Sequence, residues 1–171
     1  MKKKYAPEIH DPGNTVKCRI DNARVSFKNT RETSRVLVNR KLGDALNYLY
    51  DVIKKKQCVP MKRYARGVGR TAQAKAFKTQ RGRWPVKSAK FFIELINNLK
   101  VNAVNKNLNP DEMVIKNIIV NKAPIIPGRI HRAYGRINPY NSHPCHIQMI
   151  AVKKMVAVPK AIDGEYAAEV V

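Results

Sequence analysis

Apolar positions along the chain recur first at a spacing of two and then at spacings of three and four. In VKCRI the alternation puts Val16, Cys18 and Ile20 on one side, and in ARVSFK it puts Ala23, Val25 and Phe27 there. That spacing predicts half-buried strands. The phase changes near Asn22, which predicts a bulge or bend. NTRE follows, with Asn29 as N-cap and Glu32 three residues on. This capping-box arrangement predicts a short helix through Val36 and Leu37, ending near Asn39. KLGDALNYLYDVIKKK carries Leu42, Ala45, Leu46, Leu49, Val52 and Ile53 at helical spacing, a stripe for burial. Its triplet Lys54 to Lys56 suits a helix C-terminus. Pro85 opens a long helix, Val86 to about Lys106, with Phe92, Leu95, Ile96, Leu99 and Ala103 as its core stripe. NPDE turns the chain into β-branched MVIKNIIVNKAP. PCHIQMIAVKK then alternates Cys145, Ile147, Met149 and Ala151 against His146, Gln148 and Ile150.

Two stretches keep no such period. Residues 57–84 are rich in Gly, Arg and Lys and read as an irregular basic loop with one short helical turn. PIIPGRIHRAYGRINPYN, Pro124 to Asn141, reads as two short strands joined at Pro127-Gly128. One face would carry Gly128, Ile130, Arg132, Tyr134, Arg136 and Asn138, the other Pro127, Arg129, His131, Ala133, Gly135 and Ile137. Neither row is apolar, so this ribbon is not made for a protein interior. The order of elements predicts an α+β fold: helices packed on a small antiparallel sheet, with a long protruding β-hairpin and the basic loop. A single domain over residues 15–152 is expected, with an N-terminal extension, 1–14, and a C-terminal tail, 153–171; the hairpin spans about 117–141.

Charge sharpens this picture. The chain has 171 residues, 34 Lys and Arg against 12 Asp and Glu, a net charge of +22 and a pI near 10.3. So much like charge on one body calls for a polyanionic partner, while 44% hydrophobic residues argue for a folded core beneath it. The acids are also unevenly placed: none lies between Asp51 and Glu94, or between Met113 and Ile162. One-sign tracts interleaved with Gly, Tyr and Trp suit a surface that faces phosphates. Cys18, Cys58 and Cys145 are too dispersed for a zinc framework and suit a reducing compartment. No apolar run approaches the ~20 residues of a membrane helix. No catalytic residue, metal ligand set or cofactor is assigned. GVGRT lacks the Gly-Lys-Ser/Thr of a P-loop, and in HPCH the residues Cys145 and His146 alternate to opposite faces of a strand. The expectation is that Cys145 packs inward and His146 meets a polar group outside. Trp84 is expected to pack at the start of the long helix, with its flanking arginines left for phosphate.

The blocks FKNTRETSR, KKKQCVP, GVGRTAQAK, TQRGRWPVKSAKFF, VNKAP, RAYGRINPY and SHPCHI resemble the universal large-subunit ribosomal protein family called twenty-two in bacteria and seventeen in eukaryotes. The resemblance covers roughly Thr15 to Val152, and the loop matches the eukaryotic and archaeal form. It implies binding to large-subunit ribosomal RNA beside neighbouring ribosomal proteins, and a hairpin whose tip lines the polypeptide exit tunnel and meets the nascent chain. It implies neither membrane insertion nor a homo-oligomer, and a cytoplasmic place in the large subunit, with nucleolar assembly if eukaryotic. Residues expected at RNA are Lys62, Arg63, Tyr64, Arg66, Arg70, Lys75, Lys78, Arg81, Arg83, Lys87, Lys122, Arg132, Arg136, Asn138 and Tyr140; those expected to line the tunnel are Pro127, Gly128, Arg129, Ile130 and His131. Ile125 to Gly128 stand where the eukaryotic pattern has a basic run. The alternative is a free basic RNA-binding regulatory protein, against which stands the lack of an RNP-type aromatic motif, a zinc module or a helix-turn-helix.

Overall fold

The computed structural model describes Tyr5 and residues 11–153, so nearly all of the predicted tail and most of the N-terminal extension lie outside the described residues. Strand β1, Thr15–Ala23, begins as the alternation predicts, with Val16 and Cys18 buried. Its pairing register breaks between Ile20 and Ala23, and Asn22 takes a positive φ of 55°. The predicted bend is therefore a β-bulge. ARVSFK does not continue as a strand: helix α1, Phe27–Leu37, starts inside it. The capping box is also corrected. Ser26 is the N-cap, without a side-chain bond, and Asn29 lies within the helix, where its carbonyl accepts from Thr33 Oγ1 at 2.9 Å. The buried face of α1 is largely polar, with Thr30, Thr33 and Ser34 among its buried residues. Thr30 Oγ1 bonds the Ser26 carbonyl at 2.8 Å and lies 3.1 Å from Ser88 Oγ, so its burial leaves no hydroxyl unpaired.

Helix α2, Leu42–Ile53, buries Leu42, Ala45, Leu49 and Val52 as expected, with Tyr48 beside them. The basic loop holds a two-residue ladder, β2 (Val59–Pro60) with β3 (Gly82–Arg83), and a 3₁₀ turn over Ala72–Phe77. Helix α3, Val86–Val104, has Pro85 as its N-cap, one place earlier than expected. Phe92, Leu95, Ile96, Leu99 and Ala103 are all fully buried. A buried side chain of the larger kinds in this stripe contributes roughly 1.5–3 kcal/mol. Strand β4, Met113–Lys122, leads into the hairpin, whose arms are β5 (Arg129–His131) and β6 (Ile137–Pro139), and β7, Cys145–Lys153, returns. The main sheet is antiparallel in the order β1-β7-β4, and the helices pack on the face that carries Cys145, Ile147, Met149 and Ala151. The fold is α+β.

The hairpin continues the central strand pair outward. Lys122 pairs with Cys145, Ile126 with Ser142, Arg129 with Pro139 and His131 with Ile137. The chain reverses at Ala133–Gly135, not at Pro127-Gly128. Tyr134 and Gly135 both take left-handed φ, 56° and 66°, and Arg132 N–H bonds the Arg136 carbonyl at 2.7 Å across the turn. Pro127-Gly128 sits midway along the outgoing arm. Glycine is needed there for another reason: a Cβ on residue 128 would lie 2.3 Å from the Tyr140 carbonyl oxygen. Arg132 and Arg136 consequently flank the turn, rather than both following it.

Candidate nucleic-acid interface

The basic loop is anchored from below. Cys58, Val59, Met61 and Ala74 are buried, and Tyr48 Oη donates to the Cys58 carbonyl at 2.8 Å. Its sharpest attachment is one carboxylate. Glu32, 2% exposed, accepts the backbone N–H groups of Lys62 at 3.3 Å, Arg63 at 3.1 Å and Tyr64 at 3.1 Å. Arg31 Nη1 adds a charged bond at 3.2 Å. An ionised carboxylate takes several donors at once, and such charge-assisted bonds are the strong ones. Glu32 therefore fixes the backbone of a basic segment while leaving the side chains of Lys62 and Arg63 exposed.

Arg81 and Arg83 are partly committed within the loop. Arg81 Nη1 donates to the Ala65 carbonyl at 3.1 Å and Arg83 Nη2 to the Gly67 carbonyl at 3.0 Å. They hold the turn that presents Arg66 and Arg70, both exposed. Gly67 has φ +68°, a conformation that glycine adopts without strain. Lys75 and Lys78 are exposed on and just after the 3₁₀ turn. Trp84 is half-buried and donates from Nε1 to Gln73 Oε1 at 3.0 Å, so it braces the loop against the start of α3. Tyr64 is half-buried too, edge-on to Phe27 with ring centroids 6.1 Å apart. Part of its ring is thus already engaged by Phe27.

Lys87 and Lys122, far apart in sequence, meet in a groove of about 920 Å³ at the root of the finger. Tyr140 lines it as well, 70% exposed. Arg24 and Lys28 complete its basic lining, and sequence reasoning missed both. They stand outside the acid-free tracts, between Asp21 and Glu32, so a search for one-sign runs passes over them. On the finger itself, all residues from Arg129 to Asn141 are exposed. Cations occupy both faces: Arg132 and Arg136 oppose each other beside the turn, and Arg129 lies on the arm. Like charges directly opposite are destabilising in a bare ribbon. Tyr134, at the apex, is 96% exposed in a backbone conformation that bulky residues rarely take.

The three buried thiols and His146 are structural in kind. Cys18 Sγ donates to the Leu95 carbonyl, and burial pushes its thiol up to about 12. Cys145 is buried against the Val25 carbonyl at 3.3 Å, while His146 Nδ1 faces Asp21 at 3.2 Å, in line with the expected inward and outward placement. Among the described residues no group of three or more His, Cys, Asp or Glu could hold a metal ion, and no helix is long and apolar enough to cross a membrane.

Known proteins match this chain along most of its length. The family described as Ribosomal protein L22p/L17e matches residues 18–152. A protein of Suberites domuncula, named large ribosomal subunit protein uL22, is 51% identical over 162 residues, covering 94% of this chain and 85% of its own length. A protein of the same name from Podocoryna carnea is 50% identical over 158 residues, covering 92% and 86%. Its counterpart in Bombyx mori is 47% identical over 157 residues, covering 92% and 84%.

Proposed function

The chain belongs to the ribosomal protein L22p/L17e family, and from that premise we propose that it is a structural constituent of the large ribosomal subunit, binding large-subunit rRNA and lining the polypeptide exit tunnel with its hairpin. The role is architectural, not enzymatic: the relatives bear the name of a ribosomal constituent. Its place is the cytoplasmic ribosome, with assembly in the nucleolus if the source is eukaryotic.

The observation that carries this reading is the finger. It leaves the sheet as a two-stranded ribbon, exposed on both faces, with Arg129, His131, Arg132 and Arg136 and no acid. A two-stranded hairpin is marginal alone in water, and this one adds repulsion without an apolar face. RNA supplies the missing surface along the arms behind the tip, since phosphates neutralise Lys122 and an unpaired base stacks on Tyr140, both exposed. The loop from Gln57 to Trp84 is a second contact, prearranged by Glu32. With the turn at Ala133–Gly135, the lumen-facing tip is Arg132 to Arg136 and the adjoining Arg129, Ile130 and His131, while Pro127 and Gly128 form the arm behind it. From Ala123 to Arg132 an extended arm of about ten residues at ~3.3 Å each reaches on the order of 30 Å.

Three experiments test the proposal. Binding of the chain to a large-subunit rRNA fragment falls steeply with salt; for six phosphate contacts the log-log slope is roughly −4 to −5. A slope near zero refutes the electrostatic mechanism. Sedimentation of cell extract separates this reading from a free RNA-binding regulator: near-complete co-migration with large subunits supports the first, a mostly free pool the second. Replacing Arg132 to Arg136 by a two-residue turn leaves assembly intact and alters tunnel-dependent pausing. Loss of incorporation would reject the division between anchoring arms and tunnel tip.

A further inference from the structure

We infer that the groove at the root of the finger seats one step of single-stranded RNA, its phosphates among Arg24, Lys28, Lys87 and Lys122 and one base laid against Tyr140. This rests on the RNA-binding reading above and narrows it to a place and a form of nucleic acid. The groove, about 920 Å³, lies between the β1–α1 connection and the two strands where the finger begins. Cations reach it from four elements: Arg24 from the connection, Lys28 from α1, Lys87 from α3 and Lys122 from β4. Among the described residues no carboxylate lines it. Two of the cations lie near ring faces, Lys122 Nζ 5.8 Å from the Phe27 centroid and Lys28 Nζ 5.9 Å from that of Tyr64. Arg24 Nη2 donates to Ser142 Oγ at 3.2 Å and so ties the two walls together.

The rest of the lining selects the form of RNA. Val25, Ala123 and Pro144 make an apolar floor, and Tyr140 presents an exposed ring at its edge. A duplex offers phosphates and 2′-hydroxyls but keeps its bases stacked inside, which would leave floor and ring bare. An unpaired nucleotide fills both, because any base has a face to stack on an aromatic ring.

The probes are a uridine dodecanucleotide and a twelve-pair RNA duplex, titrated with the full chain at several salt concentrations. Lys28→Ala with Lys87→Ala lowers the log-log salt slope for the single strand by about 1.4, two contacts at ~0.7 each. Tyr140→Leu keeps that slope and weakens single-strand binding by about 5- to 150-fold, the measured range for one stacked base. Thermal melting confirms that these surface variants fold. Arg66→Ala with Arg70→Ala in the loop serves as comparison. An unchanged slope in the groove variant beside a reduced one in the loop variant overturns the proposal and leaves RNA binding standing. A wild-type slope near zero removes the RNA reading itself. If the duplex depends equally on Lys28 and Lys87, and Tyr140→Leu has no effect on either probe, the occupant is paired backbone and the proposal fails. So it does if oligoglutamate of equal charge displaces the single strand as readily from wild type as from Tyr140→Leu.

Discussion

Replacing Glu32 by Gln removes one charge and one acceptor from the seat of the basic loop, with hardly any change of shape. In the native protein Glu32 Oε2 accepts from Lys62 N–H, while Oε1 accepts from Arg63 N–H, Tyr64 N–H and Arg31. The amide keeps one oxygen for the second set and turns its NH₂ toward Lys62, donor against donor. One part-buried donor left unpaired costs about 1–3 kcal/mol, and two bonds that fall from charged to neutral strength lose about 1 kcal/mol each. The sum is roughly 3–5 kcal/mol, assigned to docking of the loop rather than to the helix–sheet core. At 1.36 kcal/mol per decade, amide exchange at Lys62, Arg63 and Tyr64 accelerates by about 100- to 1000-fold or more. Trypsin cuts after Lys62 and Arg63 at concentrations that spare the native chain. Exchange in α3 changes far less, because the loop opens without the core. Glu32→Ala goes no further than the free energy of docking allows, since a released segment gives its N–H groups to water. Protection at the three amides within threefold of wild type would refute the assignment of Glu32 as the loop's anchor.

Gly128→Ala separates the hairpin arms, because the new methyl would meet the Tyr140 backbone oxygen at 2.3 Å. Gly69→Ala, with nothing within 4 Å, stays within about 0.5 kcal/mol of wild type. Exchange of the Tyr140 amide, which bonds the Gly128 carbonyl, reads the difference, and equal protection in both variants sinks the prediction. Phe92→Ala, in the centre of the α3 stripe, costs about 3–5 kcal/mol in urea unfolding, and a loss under 1 kcal/mol would contradict full burial. The Cys18 thiol, raised by burial from 9.0 to about 12, adds stability that is fully present below pH 9. The unfolded chain ionises first as pH rises, so this contribution is lost between about pH 9 and pH 12. Cys18→Ala flattens the alkaline limb of the stability curve, and Cys18 reacts with iodoacetamide at pH 8 only after unfolding; prompt alkylation of the native chain would oppose both.

The parts of the fold that bury apolar side chains were legible because burial imposes a period. The stripes of α2 and α3 and the alternation of Cys145, Ile147, Met149 and Ala151 appear where periodicity puts them. Helix α1 was misread at its start because Thr30, Thr33 and Ser34 are buried through hydrogen bonds, which leave no apolar stripe. Glu32 looked like a capping residue from its spacing to Asn29, but the backbone N–H groups it accepts lie thirty residues and more along the chain. The hairpin turn was misplaced for a related reason. Pro-Gly is a strong local turn signal, yet pairing from Lys122–Cys145 outward sets which residues face each other, and the midpoint falls at Tyr134. Of the interface, exposed cations in the loop could be read from missing acids. Arg24 and Lys28 could not, because only folding brings their stretch beside Lys87, Lys122 and Tyr140.

The placement of the acids accounts for the direction in which the charge points. Asp44, Asp111 and Glu112 lie near the Met113 end of β4, where Glu112 pairs with Lys153 at 3.4 Å. The finger leaves from the Lys122 end, at the far end of this ten-residue strand, roughly 30 Å away at ~3.3 Å per residue. That distance exceeds three screening lengths of ~8 Å at physiological ionic strength, so these acids contribute almost nothing at the finger. Asp21, nearer the finger root, is already engaged by Arg19 and His146. Glu32 is turned inward onto backbone amides. None of these five carboxylates is thus free to neutralise Lys122, Arg129, Arg132 and Arg136. Burial cannot neutralise them either, since each is exposed and none lies on an apolar face. Compensation has to come from outside, along the whole length of the arm and at a spacing that follows an extended backbone. A folded polyanion meets that requirement, whereas small counterions screen the arginines without holding two strands together.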